Sequence, residues 1–203
     1  MTLNQLDILA FKHVDAAAGL VGWHLEAATL LAEWLVYLVP ISLVALWMSG
    51  AGPARVAAVR AAIGAATALL INQAIGFAWD RPRPFVLGIG HTFLAHAPDA
   101  SFPSDHVAAL AATGIALWMA STRSVRYVGT ALTAAALVAG WARVFLGIHY
   151  PGDVIGALGI SALTAVAFAP APGRICCTWV ALRLEGLYRR LFARPIALGW
   201  VRA

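Results

Sequence analysis

Apolar residues gather into five long runs separated by polar breaks, with a weaker amphipathic stretch at each end. At the start, Leu3, Leu6, Leu9 and Ala10 recur at helical spacing. Asp7, Lys12, Asp15 and His24 interrupt any continuous apolar core, so the pattern predicts an interfacial helix rather than a secretory signal. The first long run covers Ala27 to Trp47, with Glu33 inside it, and Gly50, Gly52 and Pro53 break the chain after it. The second opens around Arg55 and Arg60 and ends near Trp79. It is rich in alanine and glycine, small residues that let membrane helices pack closely. A polar insert follows from Asp80 to Asp105, then apolar runs over His106 to Ala120, Val125 to Trp141 and Val154 to Ala169. From Arg174 onward, Val180, Leu184, Leu187, Tyr188 and Leu191 share one face among arginines. That is the pattern of an amphipathic helix on an anionic leaflet. The expected fold is all-α: a polytopic membrane helical bundle with about five transmembrane helices plus N- and C-terminal interfacial helices. Residues 1–172 form the membrane-embedded unit in this reading, and 173–203 a basic cytoplasmic tail.

Composition sharpens this picture. The 203 residues are 62% hydrophobic and 11% charged, against roughly 25% charged in a soluble domain. Each ionisable residue inside a membrane span costs roughly 2.5–3.5 kcal/mol on insertion scales, so those that occur there carry information. The adjacent Cys176 and Cys177 cannot staple distant segments and read as small apolar residues. Five spans place Arg55, Arg60, Arg123, Arg126 and the six arginines of the tail on one side, ten of the fourteen basic residues. By the positive-inside rule that side is cytoplasmic. A plasma (inner) membrane protein with the polar insert facing the periplasm or exterior is expected. A sixth span near the N-terminus would change only where the first residues lie.

The candidate chemistry lies on the outward side. The stretch Trp141 to Asp153, WARVFLGIHYPGD, holds Arg143, His149 and Asp153 around a break at Pro151 and Gly152. One helix is expected to end near Arg143, a turn to carry His149, and Asp153 to open the next helix. Two further clusters face it: Arg81-Pro-Arg83-Pro84 and Pro103-Ser104-Asp105-His106. Guanidiniums held together repel one another unless an anion joins them, and they match phosphate oxygens bidentately. Ser104 at a helix start offers its hydroxyl and nearby backbone N–H groups to the same anion. Two histidines suit a nucleophile and a separate acid, with Asp153 orienting His149.

These clusters, RPRP, PSDH and ARxxxxxHxxxD, resemble the signature of the type-2 phosphatidic acid phosphatase superfamily over roughly Asn72 to Gly156. The family pattern is KxxxxxxRP, PSGH and SRxxxxxHxxxD. PSDH and the early stretch LAEWLVYLVP look most like its bacitracin-resistance subgroup, which dephosphorylates undecaprenyl diphosphate at the outer leaflet. The resemblance implies a metal-independent, cofactor-free phosphatase that passes through a phosphohistidine. His149 maps onto the nucleophile, Asp153 onto its partner and His106 onto the acid, while Arg83, Arg143 and Ser104 map onto the phosphate-binding positions. The implied partners are a membrane lipid substrate and the bilayer, with no nucleic acid.

The chain departs from that pattern in three places. The first-motif lysine position holds Gly76 counted from Arg83, or Ala74 counted from Arg81, and Arg81 is the candidate to supply the missing charge. Ala142 replaces a serine, and Asp105 replaces a glycine, as a modulator beside the phosphate site. His91 and His96 match no motif position and read as solvated loop residues; a zinc site using them has no standard spacing, and the arginines disfavour a cation. Phosphatidic acid, phosphatidylglycerol phosphate and lipid A are alternative substrates. A non-catalytic anion-binding or transport protein would use the arginines, but has little use for the histidine pair.

Overall fold

The computed structural model describes residues 2–49 and 52–202, so Gly50 lies outside the described residues. It is an all-helical bundle. Helix α1 (Leu3–Val14) is followed by α2 (Trp23–Trp34) and, after one 3-10 turn (Leu35–Tyr37), by α3 (Leu38–Ser49). The turn precedes Pro40, which lacks an N–H and crowds the carbonyl four residues back, the usual cause of such a break. Then come α4 (Gly52–Ala78), α5 (Asp105–Trp118), α6 (Arg123–Phe145), α7 (Pro151–Ala167), α8 (Ala171–Leu191) and the short α9 (Ala193–Ala197).

Among the described residues, three helical stretches are long and apolar enough to cross a membrane by length and composition: Trp23–Met48, Gly52–Ala78 and Arg123–Phe145. The α7–α8 pair passes the same test only if its 85° bend lies within one span. Helix α5 has 14 residues, roughly 21 Å of rise, shorter than the roughly 30 Å hydrocarbon layer. It compensates by position: Val107 to Gly114 are all buried. The packing is inside out relative to a soluble protein. Alanines fill the centre, at Ala57, Ala61, Ala108, Ala111, Ala136, Ala139 and Ala157. Large apolar side chains such as Leu70, Phe77, Leu163 and Val166 point outward. With lipid as solvent, large apolar groups gain nothing by being inside, and small ones let the helices approach. The α5–α6 crossing illustrates this: a Cβ on Gly114 would sit 2.9 Å from the Gly129 carbonyl oxygen.

The C-terminal segment turns by 85° after α7 and lies against α4 through Cys177, Ala181 and Tyr188, all buried. It is therefore docked on the bundle, while Ile175, Trp179, Leu182 and Leu191 stay exposed. At the opposite end, α4 and α6 finish while α5 and α7 begin. The polar insert folds over that end with a single 3-10 turn (Pro84–Leu87) among its described elements. This convergence builds the site.

Candidate active site

Local sequence sets each piece. Pro82 and Pro84 hold the segment after α4 extended, with Arg83 at φ −67° and ψ 157°. Residues two apart in an extended chain share a side, so Arg81 and Arg83 project together and straddle the His149–Asp153 pair. Pro151 occupies the first turn of α7, where its missing N–H costs nothing. That start sets Asp153 at the third helical position, its carboxylate accepting the Tyr150 backbone N–H at 2.8 Å. Gly147, at φ +79°, makes the turn between α6 and His149; a Cβ there would collide with the His91 carbonyl.

Asp153 is fully buried. Its Oδ1 accepts from Arg81 Nη1 at 2.8 Å, and Oδ2 accepts from Ser101 Oγ at 2.5 Å. Oδ2 also lies 3.2 Å from His149 Nδ1. An ionised carboxylate only accepts, so the imidazole carries its proton on Nδ1 and Nε2 keeps its lone pair. Nε2 is 3.2 Å from Arg83 Nη1. Burial pushes the His149 pKa down to about 4, against the raising effect of the Asp153 hydrogen bond. The ring is therefore neutral near pH 7.

His149 opens onto a cavity of about 830 Å³ lined also by Arg83, His96, Asp105, His106 and Arg143. Arg83 is braced by Asp99 through Nε at 2.9 Å and by the Ile148 carbonyl through Nη1 at 2.9 Å. Arg143, in the last turn of α6, is 2% exposed. It donates to the Ala32 carbonyl at 3.2 Å and reaches His96 Nε2 at 3.3 Å. No carboxylate forms an ion pair with it among the described residues, and its Nε has no partner. Ser104 caps α5 yet its buried Oγ is likewise unpartnered. A buried guanidinium with a spare donor on the cavity wall, and an unpartnered hydroxyl between the wall residues Pro103 and Asp105, are arranged for an anion.

Of the expected residues, Arg83, Asp105, His106, Arg143 and His149 line this cavity, and Asp153 lies behind His149. Arg81, expected to supply the charge of the missing lysine, does not line this cavity. Its Nη1 is committed to Asp153 and its Nη2 to Asp7 at 2.7 Å, and it lines a separate groove of about 860 Å³ against α1. Asp105 lies on the cavity wall, but its oxygens accept from Asn72 at 2.9 Å and Gln73 at 2.8 Å. His91 is exposed, as expected of a loop residue. His96 is different: it lines the cavity and contacts Arg143, a role its spacing did not signal. Asn72 and Gln73 carry a signal in the sequence itself, since paired amides near the end of an apolar helix are costly unless used. No group of three His, Cys, Asp or Glu side chains suited to a metal occurs among the described residues.

The PAP2 superfamily profile matches residues 57–175. The chain belongs to the PAP2 superfamily. Its relatives include the putative undecaprenyl-diphosphatase YbjG of Escherichia coli, 34% identical over 209 residues that cover 98% of this chain and 99% of the relative. The undecaprenyl-diphosphatase BcrC of Bacillus subtilis is 34% identical over 138 residues, 68% of this chain and 69% of that one. Among solved structures, the PAP2-type phosphatidylglycerolphosphate phosphatase of Bacillus subtilis superposes with a TM-score of 0.61 at 21% identity, covering 81% of this chain and 83% of that one. LpxE of Aquifex aeolicus gives 0.53 at 18%, with 82% and 86% covered. At these identities the structures speak for the fold, a transmembrane PAP2 bundle. The protein is accordingly a membrane hydrolase of phosphate esters or anhydrides.

Proposed function

We propose that the chain hydrolyses undecaprenyl diphosphate to undecaprenyl phosphate through a phosphohistidine on His149. The observation that carries this reading is the neutral His149, anchored by Asp153 through Nδ1 with Nε2 directed at a cavity lined by Arg83 and Arg143. In the first step the terminal phosphate sits on Arg83, Arg143 and Ser104, whose donors neutralise it. Nε2 attacks phosphorus, an N–P bond forms, and the P–O bond to the lipid monophosphate breaks. His106 gives its proton to the departing oxygen, and the anionic substrate favours the protonated form of His106 beforehand. Asp153 stabilises the cation that develops on His149. In the second step His106 takes a proton from water, the oxygen attacks phosphorus, and the N–P bond breaks to release phosphate and regenerate His149.

Two relatives whose names specify undecaprenyl-diphosphatase, at 34% identity, support the choice of lipid. The ten basic residues at the end away from the site favour an inner-membrane orientation with the cavity outward. Residues 1–172 then form the phosphatase unit and 173–203 the cytoplasmic tail. The deciding experiment measures phosphate release by purified protein in detergent with excess chelator. Undecaprenyl diphosphate and phosphatidic acid are offered separately, with His149→Ala as control. Release that survives chelation, prefers the diphosphate and vanishes in the variant supports the reading. Release undiminished in His149→Ala overturns the histidine mechanism, and preference for phosphatidic acid overturns the substrate.

A further inference from the structure

Helix α1 lies outside the segment matched by the family profile, yet one of its side chains reaches the back of the site. Asp7 accepts from Arg81 Nη2 at 2.7 Å and from the Gly152 backbone N–H at 2.7 Å. The Gly152 N–H belongs to the first turn of α7, where donors have no partner within the helix and a carboxylate is favoured. Arg81 in turn donates to Asp153 and lies 4.2 Å from the Tyr150 ring centroid. One guanidinium is therefore shared between two carboxylates, one of which holds His149.

The attachment of α1 is over-determined. Phe11 is fully buried and meets Tyr150 edge-on at 5.6 Å between ring centroids. The Ala16 N–H donates to the Phe145 carbonyl at 2.9 Å, and Asp15 accepts the His91 backbone N–H at 2.8 Å. Losing Asp7 alone would not free the helix, so its effect on chemistry can be separated from its effect on packing.

We propose that Asp7 is a positioning residue for phosphoryl transfer, dividing the charge of Arg81 so that Asp153 stays available to the Nδ1–H of His149. Without Asp7, Arg81 would draw fully on Asp153, and the cation formed on His149 during attack would lose support. The charged and titratable groups around His149 are Asp153 on α7, Arg143 on α6, His106 on α5, and Arg83 and His96 in the insert. Arg81 and Asp7 act from behind Asp153. The sign follows from charge. Removing Asp7 disfavours protonated His149, and removing Arg81 favours it.

This inference rests on His149 being the nucleophile, and the test keeps the two apart. kcat, KM and the pH profile of kcat/KM are measured for Asp7→Asn, Arg81→Gln, the double variant, Asp15→Asn and His149→Ala. Asp7→Asn is expected to lower kcat about tenfold, the scale of one charge-assisted hydrogen bond, with KM within about twofold. Its acid limb moves to lower pH by about half a unit, that of Arg81→Gln moves up, and that of the double variant returns close to the parent. Asp15→Asn, which loosens α1 elsewhere, leaves the limb in place. If Asp7→Asn keeps the parental limb, or Asp15→Asn reproduces its profile, Asp7 merely holds the helix and the proposal fails. If His149→Ala is active, the histidine reading has failed first.

Discussion

The two ends of the bundle each bury an arginine, and the environments differ in one respect. Arg55, 1% exposed, spends its donors on the Trp47 carbonyl at 3.1 Å, Glu185 at 3.0 Å and the Arg202 carbonyl at 2.9 Å. Tyr188 and Trp47 lie 4.9 and 5.6 Å from its guanidinium carbon. Arg143 is buried just as deeply, but among the described residues it donates only to a carbonyl and a neutral histidine and keeps Nε unpartnered. A buried charge without a counter-ion is costly, and Arg143 borders a cavity where an anion can supply one. Between these two, burial does not separate the structural arginine from the functional one; the missing ion-pair partner does.

The largest expected effect breaks that comparison at its functional end. Arg143→Ala should lower kcat/KM for the lipid diphosphate by about a thousandfold or more, as loss of a charge aimed at the transferred group does. Its thermal midpoint should hold or rise, because an unpaired buried charge is removed. A falling midpoint with modest kinetic loss would make Arg143 structural. Arg55→Ala is expected to behave oppositely. It should destabilise the fold by about 2–3 kcal/mol, because the Trp47 carbonyl loses its donor while Glu185 keeps only Arg189 and the Arg202 carbonyl only the Tyr188 hydroxyl. Turnover per folded molecule should stay within about twofold. A thousandfold loss of turnover in folded Arg55→Ala would erase the distinction between the ends.

The pH dependence of stability isolates His149. Burial lowers its pKa in the folded state to about 4, from roughly 6.5 in an unfolded chain. Between those values the unfolded chain binds the extra proton, so this group's contribution is fully present above about pH 6.5 and is lost as pH falls toward 4. The thermal midpoint of the parent should therefore fall further from pH 7 to pH 4.5 than that of His149→Gln, which has no proton to gain. Parallel curves for the two proteins would remove the buried neutral histidine from the account.

Much of this was legible along the chain because it is local. Arg143, His149 and Asp153 lie within eleven residues, and the Pro-Gly break between them dictates a helix end, a turn and a helix start. The apolar runs likewise located α4, α5, α6 and α7 to within a few residues. What was not legible depends on contacts between distant segments. Arg81 and Arg83 sit two residues apart on one side of an extended strand of chain. Only the arrival of Asp7 and Asp153 decides that Arg81 belongs behind the site. The docking of α8 on α4 depends equally on Arg55 and Glu185 meeting, and an amphipathic pattern reads the same for a helix on lipid or on protein.

His96 was the other residue hidden by distance, and it gives the smallest expected effect. Its Nδ1 lies 3.0 Å from the Ala97 carbonyl, which can only accept, so Nδ1 carries the proton and Nε2 accepts from Arg143. Burial holds its pKa below the ordinary histidine value, helped by the charges of Arg83 and Arg143. The ring thus acts as a neutral prop that orients Arg143 without cancelling its charge. A carboxylate in the same place would pair with Arg143 and compete with phosphate. His96→Ala should raise KM a few-fold and leave kcat nearly unchanged, the scale of one hydrogen bond to a charged group. His96→Asp should raise KM more than the alanine variant does, although it restores a partner for Arg143. If aspartate instead recovers parental KM, Arg143 needs only an acceptor there, and its lack of a counter-ion is not what prepares the cavity for an anion.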